Sequence, residues 1–158
     1  EPALDVLVAR GIALSELGRN REAADSLAAA TRLDPSNAMT RVQLGTVRLL
    51  AGDGPGARAA LEVALRLVGR LAVAHRTLGL VAAQQGDEEE ALRQWSAAVT
   101  LDPYEHDALL RLGSALAKRG RPAEARPYLE RFVATAPPAI YAQSLAGAKA
   151  WLRAHPSL

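Results

Sequence analysis

The stretch Leu78-Gly-Leu-Val-Ala-Ala-Gln-Gln-Gly-Asp-Glu-Glu-Glu-Ala-Leu-Arg-Gln-Trp95 decides the fold. Its two glycines recur at one interval along the chain. Gly11, Gly45, Gly79 and Gly113 form a series with a period of 34 residues, and Gly18, Gly52, Gly86 and Gly120 form a second with the same period. Ala23, Ala57, Ala91 and Ala125 keep the period as well. So strict a repeat means stacked copies of one supersecondary unit, each touching only its neighbours, rather than a fold with a single centre.

Working outward from Gly79 and Gly86, the residues between them, Leu80–Gln85, read as helix, and so do Ile12–Leu17 between Gly11 and Gly18. Asp87 then offers a helix N-cap, with Glu90 at the acidic place of a capping box. Pro122 falls in a first helical turn, where its missing N–H costs nothing. Leu33-Asp-Pro35, Leu101-Asp-Pro103 and Ala136-Pro-Pro138 end helices, because proline restricts the residue before it. The unit is therefore helix, glycine turn, helix, proline stop. First helices are expected near 4–17, 38–51, 72–85 and 106–119, and second helices near 20–33, 54–68, 88–101 and 122–135. The chain reads as one domain over 1–158, with repeats 4–37, 38–71, 72–105 and 106–139. A ninth helix, about 140–153, carries Gln143, Lys149 and Arg153 and would cover the open end of the stack.

Glycine inside a helix costs about 1 kcal/mol against alanine, so four at one phase need a reason. Close helix–helix approach supplies it, with Ala23, Ala57, Ala91 and Ala125 expected to face Gly11, Gly45, Gly79 and Gly113. Leu44, Leu78 and Leu112, with Leu27, Leu61, Trp95 and Leu129, would fill the space around them. The second glycine of each pair is expected to be a left-handed C-cap.

These residues resemble the tetratricopeptide repeat, whose pattern is W-x2-L-G-x2-Y, then A-x3-F, then P over a 34-residue unit. The third unit reads His75-x2-Leu78-Gly79-x2-Ala82, Ala91-x3-Trp95, Pro103, and the first reads Leu7-x2-Arg10-Gly11-x2-Leu14, Ala23-x3-Leu27, Pro35. Leu44-Gly45, Ala57 and Leu61 continue the pattern in the second unit, and Leu112-Gly113, Ala125, Leu129 and Pro137 in the fourth. The resemblance covers nearly the whole chain. It implies an all-α, right-handed solenoid of four helix-turn-helix units.

The second unit departs furthest from the pattern. Its turn, Gly52-Asp-Gly-Pro-Gly56, holds three glycines that would loosen the following helix, and it ends Val68-Gly-Arg-Leu71 without proline. Arg41 and Arg48 stand where the family has large aromatics, as His75 does in the next unit, and their polar ends are expected in water. The junction of units two and three is expected to be the softest. Pro127, inside the last second helix, should bend it.

Composition bounds the chemistry. The 158 residues are 49% hydrophobic but only 4% aromatic, a bias toward closely packed helices rich in Ala and Leu. A formal charge of +2, with acids and bases interspersed, does not imply nucleic acid. The absence of cysteine excludes disulfides and Cys-based metal sites. It suits a reducing cytoplasm and equally permits a periplasm, so the compartment stays open. No apolar run approaches a membrane span. The start at Glu1-Pro2, without Met, points to a fragment or a processed form. His75, His106 and His155 lie far apart, and Asp102, Glu105 and Asp107 around His106 read as helix caps rather than ligands. The glycines form no phosphate loop, since no Gly-Lys-Ser/Thr follows them. Lys118-Arg119-Gly120-Arg121 sits at a helix end, where cations are favoured, and its use as a contact for an anionic partner stays open. No catalytic residue, metal or cofactor is expected.

Function then falls to the concave face, which in the family is lined by the first helices. Carrying over the family's groove-facing places gives Asp5, Val8, Ile12, Ser15 and Glu16 from unit one, and Met39, Val42, Thr46, Leu49 and Leu50 from unit two. Unit three gives Val73, Arg76, Leu80, Ala83 and Gln84, and unit four Asp107, Leu110, Ser114, Ala117 and Lys118. The Lys and Asn pattern with which chaperone-binding members clamp a C-terminal carboxylate is absent. Met39, Val42, Leu49, Leu50, Val73, Leu80 and Leu110 would instead form an exposed apolar patch. The expected function is a protein-interaction module that takes a peptide or helix in this groove, with Arg76, Gln84 and Lys118 giving polar register. The alternative is a C-terminal accessory segment of a larger bacterial polypeptide, its activity in a missing N-terminal domain. Self-association stays open, and RNA is disfavoured by the apolar groove.

Overall fold

The structure is a computed structural model that describes residues 2–156. Among the described residues it is all helix and turn, with no strand. The helices are α1 (Pro2–Glu16), α2 (Asn20–Leu33), α3 (Ala38–Leu50), α4 (Gly54–Leu67), α5 (Ala72–Gln84), α6 (Glu88–Leu101), α7 (His106–Lys118), α8 (Pro122–Thr135) and α9 (Pro138–Ala154). Consecutive helices pack against each other along the chain, and α3 also touches α5. This is the expected all-α solenoid.

One device closes every unit. Gly18, Gly52, Gly86 and Gly120 have φ of +73°, +84°, +78° and +67°. In each turn the next amide reaches back five residues, Arg19 N–H to the Leu14 carbonyl at 2.8 Å and likewise Asp53 to Arg48 at 2.8 Å, Asp87 to Ala82 at 3.0 Å and Arg121 to Leu116 at 3.0 Å. The left-handed glycine and this bond together make the Schellman closure that satisfies the last helical carbonyls.

The other glycine series sets how closely the helices of a unit approach. A Cβ at Gly11, Gly45 or Gly113 would stand 2.6, 2.6 or 2.7 Å from Cγ of Leu27, Leu61 or Leu129, and at Gly79 it would run into the Trp95 indole. The facing side chain is thus the large one sixteen residues on, not the alanine that was expected. Ala23, Ala57, Ala91 and Ala125, 0–1% exposed, lie one turn earlier, and for Ala57 and Ala125 it is the backbone carbonyl that comes nearest the glycine. Small residues on one helix and a bulky knob on the other let the backbones close without a void.

The loose turn of unit two is pinned. The Asp53 carboxylate accepts from the Gly56 amide at 2.8 Å as the N-cap of α4, and Arg48 donates to the Gly56 carbonyl at 3.2 Å. The Arg48 head therefore serves the turn as well as facing water. Arg41 similarly donates to the Pro35 carbonyl, at 3.0 and 3.2 Å, and His75 Nδ1 lies 2.7 Å from Gln94 Oε1. Asp87 caps α6 by accepting from the Glu90 amide at 3.0 Å, but the Glu90 carboxylate turns to Arg93 and Gln94 instead of completing a capping box. α8 runs as one helix through Pro127, which sits on an exposed position five residues into it.

Between units the junctions differ. Asp34 accepts from the Ser36 amide at 3.0 Å and Asp102 from the Tyr104 amide at 2.9 Å, each fixing the tight link to the next first helix. Val68 holds the equivalent place between units two and three, half-exposed and unable to make that bond.

Candidate functional site

Helices α1, α3, α5 and α7 line one side of the solenoid, and α9 joins them as though it opened a fifth unit. Gly147 stands 34 residues after Gly113, so the glycine ladder runs on into α9. Unlike its predecessors, Gly147 has nothing within 4 Å of a Cβ, because no second helix lies behind it among the described residues. Leu145 and Ala148 are buried against α8 and α7, while Gln143, Lys149 and Arg153 are exposed as expected of an end-covering helix.

The expected groove residues divide into groups. Asp5, Val8, Ile12 and Met39 meet in a shallow recess of about 350 Å³ between α1 and α3. Val42 and Leu49 are corrected: they are 2% and 6% exposed, packed with Leu61, Leu78 and Val81 in the core between α3, α4 and α5. Val73 and Leu80 are half-buried against that same core. The wide apolar patch foreseen in the middle of the groove is therefore closed by the packing of neighbouring first helices. Thr46 is half-buried and donates its hydroxyl to the Val42 carbonyl at 3.0 Å. Leu50 is 59% exposed but lies against the Gly18–Glu22 turn, apart from the α1–α3 recess. Gln84 and Ala83 are exposed.

Asp107, Leu110, Ser114, Ala117 and Lys118 do come together. They form the α7 wall of a recess of about 610 Å³ whose opposite wall is Ser144, Gly147, Ala148 and Trp151 of α9. Leu129 closes the floor, and Arg111 stands on the rim. A second recess of about 390 Å³ adjoins it across Arg111, Ser114 and Lys118, reaching Trp95 and Leu92 of α6. The α9 residues were missed because that helix was read only as a cover. The signal that could have found them was Gly147, on the ladder's phase.

Charge at one end of the large recess is organised around Arg76. Its guanidinium lies 3.2 Å from Asp107 Oδ2 and 3.5 Å from Glu105 Oε1, tying α5 to the start of α7. Glu105 and Asp107 are thus ion-pair partners more than caps, and Glu105 makes no side-chain cap bond although it holds the N-cap place. Burial pushes the Glu105 carboxyl above the ordinary range, against the opposing pull of Arg76. The Tyr141 ring of α9 stands edge-on to Phe132 at 5.4 Å and lies 5.9 Å from His106, and burial raises its phenol, helped by the Asp107 charge. Tyr141 also marks a kink in α9, with φ −114° and ψ 22°. No group of three or more His, Cys, Asp or Glu that could hold a metal is found among the described residues, and no described helix is long and apolar enough to cross a membrane.

The sequence profile of the tetratricopeptide repeat matches residues 8–72 and 76–140. The chain belongs to the tetratricopeptide repeat family. Among curated proteins none matches the sequence. Among solved structures, the chain is similar to PilF of Pseudomonas aeruginosa, with 24% identity over 97% of this chain and 70% of that one and a TM-score of 0.78. It is also similar to MamA from Desulfovibrio magneticus, with 23% identity over 98% and 78% and a TM-score of 0.68. A third, the first tetratricopeptide domain of Spaghetti (RPAP3) bound to the HSP90 peptide SRMEEVD, is 18% identical over 75% and 94%, with a TM-score of 0.69. At these identities the likeness is one of fold. The tetratricopeptide fold supports a protein–protein interaction module, and proteins of this family are in general non-enzymatic scaffolds.

Proposed function

We propose that this tetratricopeptide array binds a peptide or helix of a partner protein on its concave side, at the recess between α7 and α9. The observation that carries the reading is the recess itself: about 610 Å³, floored by Leu110, Ala117, Leu129, Ala148 and Trp151 and rimmed by charged side chains. Its volume lies within the ~300–1,000 Å³ of pockets that take a side chain or a small ligand. The binding residues proposed are Leu110, Ser114, Ala117 and Lys118 of the expected groove, with Ser144 and Trp151 added. The α1–α3 recess, with Val8, Ile12 and Met39, is proposed as a lesser contact further along the same side. A solved tetratricopeptide domain of similar fold carries a bound peptide, which agrees with this use of the architecture.

The test is selection of a random dodecapeptide library displayed on phage, using the intact chain and its Ala117→Trp variant, which fills the recess. Peptides enriched on the wild type should lose at least ten-fold in affinity for the variant, with the melting profile of the variant showing that it folds. Absence of any enrichment, or equal affinity for both proteins, would overturn the proposal.

A further inference from the structure

The charges are divided along the solenoid. Residues 106–158 hold eight Lys and Arg against three Asp and Glu, a net +5, whereas residues 1–105 hold eleven against fourteen, a net −3. The recess between α7 and α9 lies in the basic part. Internal pairing consumes much of the local charge: Arg121 pairs with Glu124 at 2.7 Å, Arg126 with Glu130 at 2.8 Å and Arg119 with Glu89 of α6 at 2.5 Å. Among the described residues, the only acid on the rim of the large recess, Asp107, is held by Arg76 at 3.2 Å. Arg111 and Lys118 have no ion-pair partner among the described residues, and both stand at the rim where the two recesses adjoin. Among the described residues, the far side of the smaller recess offers one acid, Glu88.

We infer that the occupant of the α7–α9 recess is an acidic protein segment that places an apolar side chain on the floor and carboxylates against Arg111 and Lys118. This rests on the reading of that recess as a binding site and adds what kind of segment it takes. Arg111 and Lys118 are two helical turns apart on α7, about 10.5 Å along the axis. An extended segment lying along α7 spans that distance in three residues at ~3.3 Å each. The preferred pattern is therefore acid-x-x-acid, with the apolar residue between the acids facing Leu110 and Ala117. Ser114, midway along the same face, can bond the segment's backbone. A nucleic acid is the less fitting anion. The floor is aliphatic apart from Trp151, and the Trp151 ring is already stacked on His155, with centroids 4.3 Å apart and planes 17° from parallel, so one face is not open to a base.

The experiment repeats the library selection on the intact chain and on the double variant Arg111→Glu/Lys118→Glu, whose two positions are exposed and so leave the core alone. Wild-type selections should be enriched in Asp and Glu around an apolar residue, and the double variant should enrich Lys and Arg instead. A wild-type-selected peptide should bind the double variant at least ten-fold more weakly and lose affinity as salt rises. Enrichment without acidic bias, or an acidic bias that survives the double variant, would overturn the inference while sensitivity to Ala117→Trp left the groove reading in place. Failure to enrich anything would remove both. Displacement of a selected peptide by single-stranded RNA at lower concentration than by free acidic peptide would also overturn it in favour of a nucleic acid.

Discussion

Gly45 and Leu61 are in such close contact that a single methyl on the glycine would stand 2.6 Å from the leucine Cγ. Both residues are buried, so neither can swing into solvent. Alanine is the better helix former by about 1 kcal/mol, but overpacking a close core contact costs about 1–3 kcal/mol. Gly45→Ala should therefore destabilise the array by up to about 2 kcal/mol in urea unfolding, with overpacking exceeding propensity. Gly147→Ala, the same substitution at the same ladder phase but with nothing within 4 Å, should stabilise by about 0.4–1 kcal/mol. Equal signs for the two would refute the account of the glycine ladder.

The link between units two and three lacks the aspartate bond found at its neighbours. Val68→Asp would supply a carboxylate at the phase of Asp34 and Asp102, on a side chain already 45% exposed. A gain of about 0.5–1 kcal/mol is expected, the net worth of one such hydrogen bond. Amide exchange should show the start of α5 less protected than the starts of α3 and α7 in the wild type, and slowed in the variant. Uniform protection across the three junctions would contradict this.

The turn of unit two depends on Asp53. Removing its cap by Asp53→Ala should cost about 1 kcal/mol. Gly56→Ala should also destabilise, against helix propensity, because its Cβ would occupy the place of the Asp53 carboxylate. If Gly56→Ala instead stabilised the protein, the cap would have no energetic part in the turn.

Glu105 makes a contribution to the pH dependence whose sign follows from its burial. Its folded carboxyl is raised by burial, so the folded chain holds that proton more tightly than the unfolded chain. In the window just above the ordinary glutamate range, stability then falls as pH rises. Glu105→Gln removes the term while preserving shape. The variant should gain stability relative to the wild type between pH 4 and pH 7 in parallel urea titrations. Glu22, Glu90 and Glu124, lowered mainly by their hydrogen bonds to Arg19, Gln94 and Arg121, act with the opposite slope but cancel in this comparison. A relative loss toward pH 7 would show that attraction to Arg76 exceeds the burial cost.

The helices were legible because their ends are written in residue types with few alternatives. A left-handed glycine and a proline stop bracket most of them, and α2, α6 and α8 fall on the expected residues. The groove was less legible. Val42 and Leu110 hold the same phase of a first helix, yet Val42 is buried by the neighbouring α5 while Leu110 lines a recess. Helical periodicity names a face, but that face is shared between the groove and the next first helix. The spacing of adjacent helices then decides which side chains stay accessible, and no single repeat encodes that spacing. The pairing of Arg76 with Glu105, just ahead of α7, and with Asp107 of the next unit was hidden for the same reason.

Gly147 gives the array a socket as well as a wall. Its side of α9 is open where Leu27, Leu61, Trp95 and Leu129 fill the equivalent space at the earlier glycines. A designed helix with leucine sixteen residues beyond Gly147, joined through a glycine turn, should seat there and lengthen the solenoid by half a unit. Stability in such arrays adds up from each repeat and its neighbours, so the extension would stiffen α9, and with it the wall on which Trp151 stands.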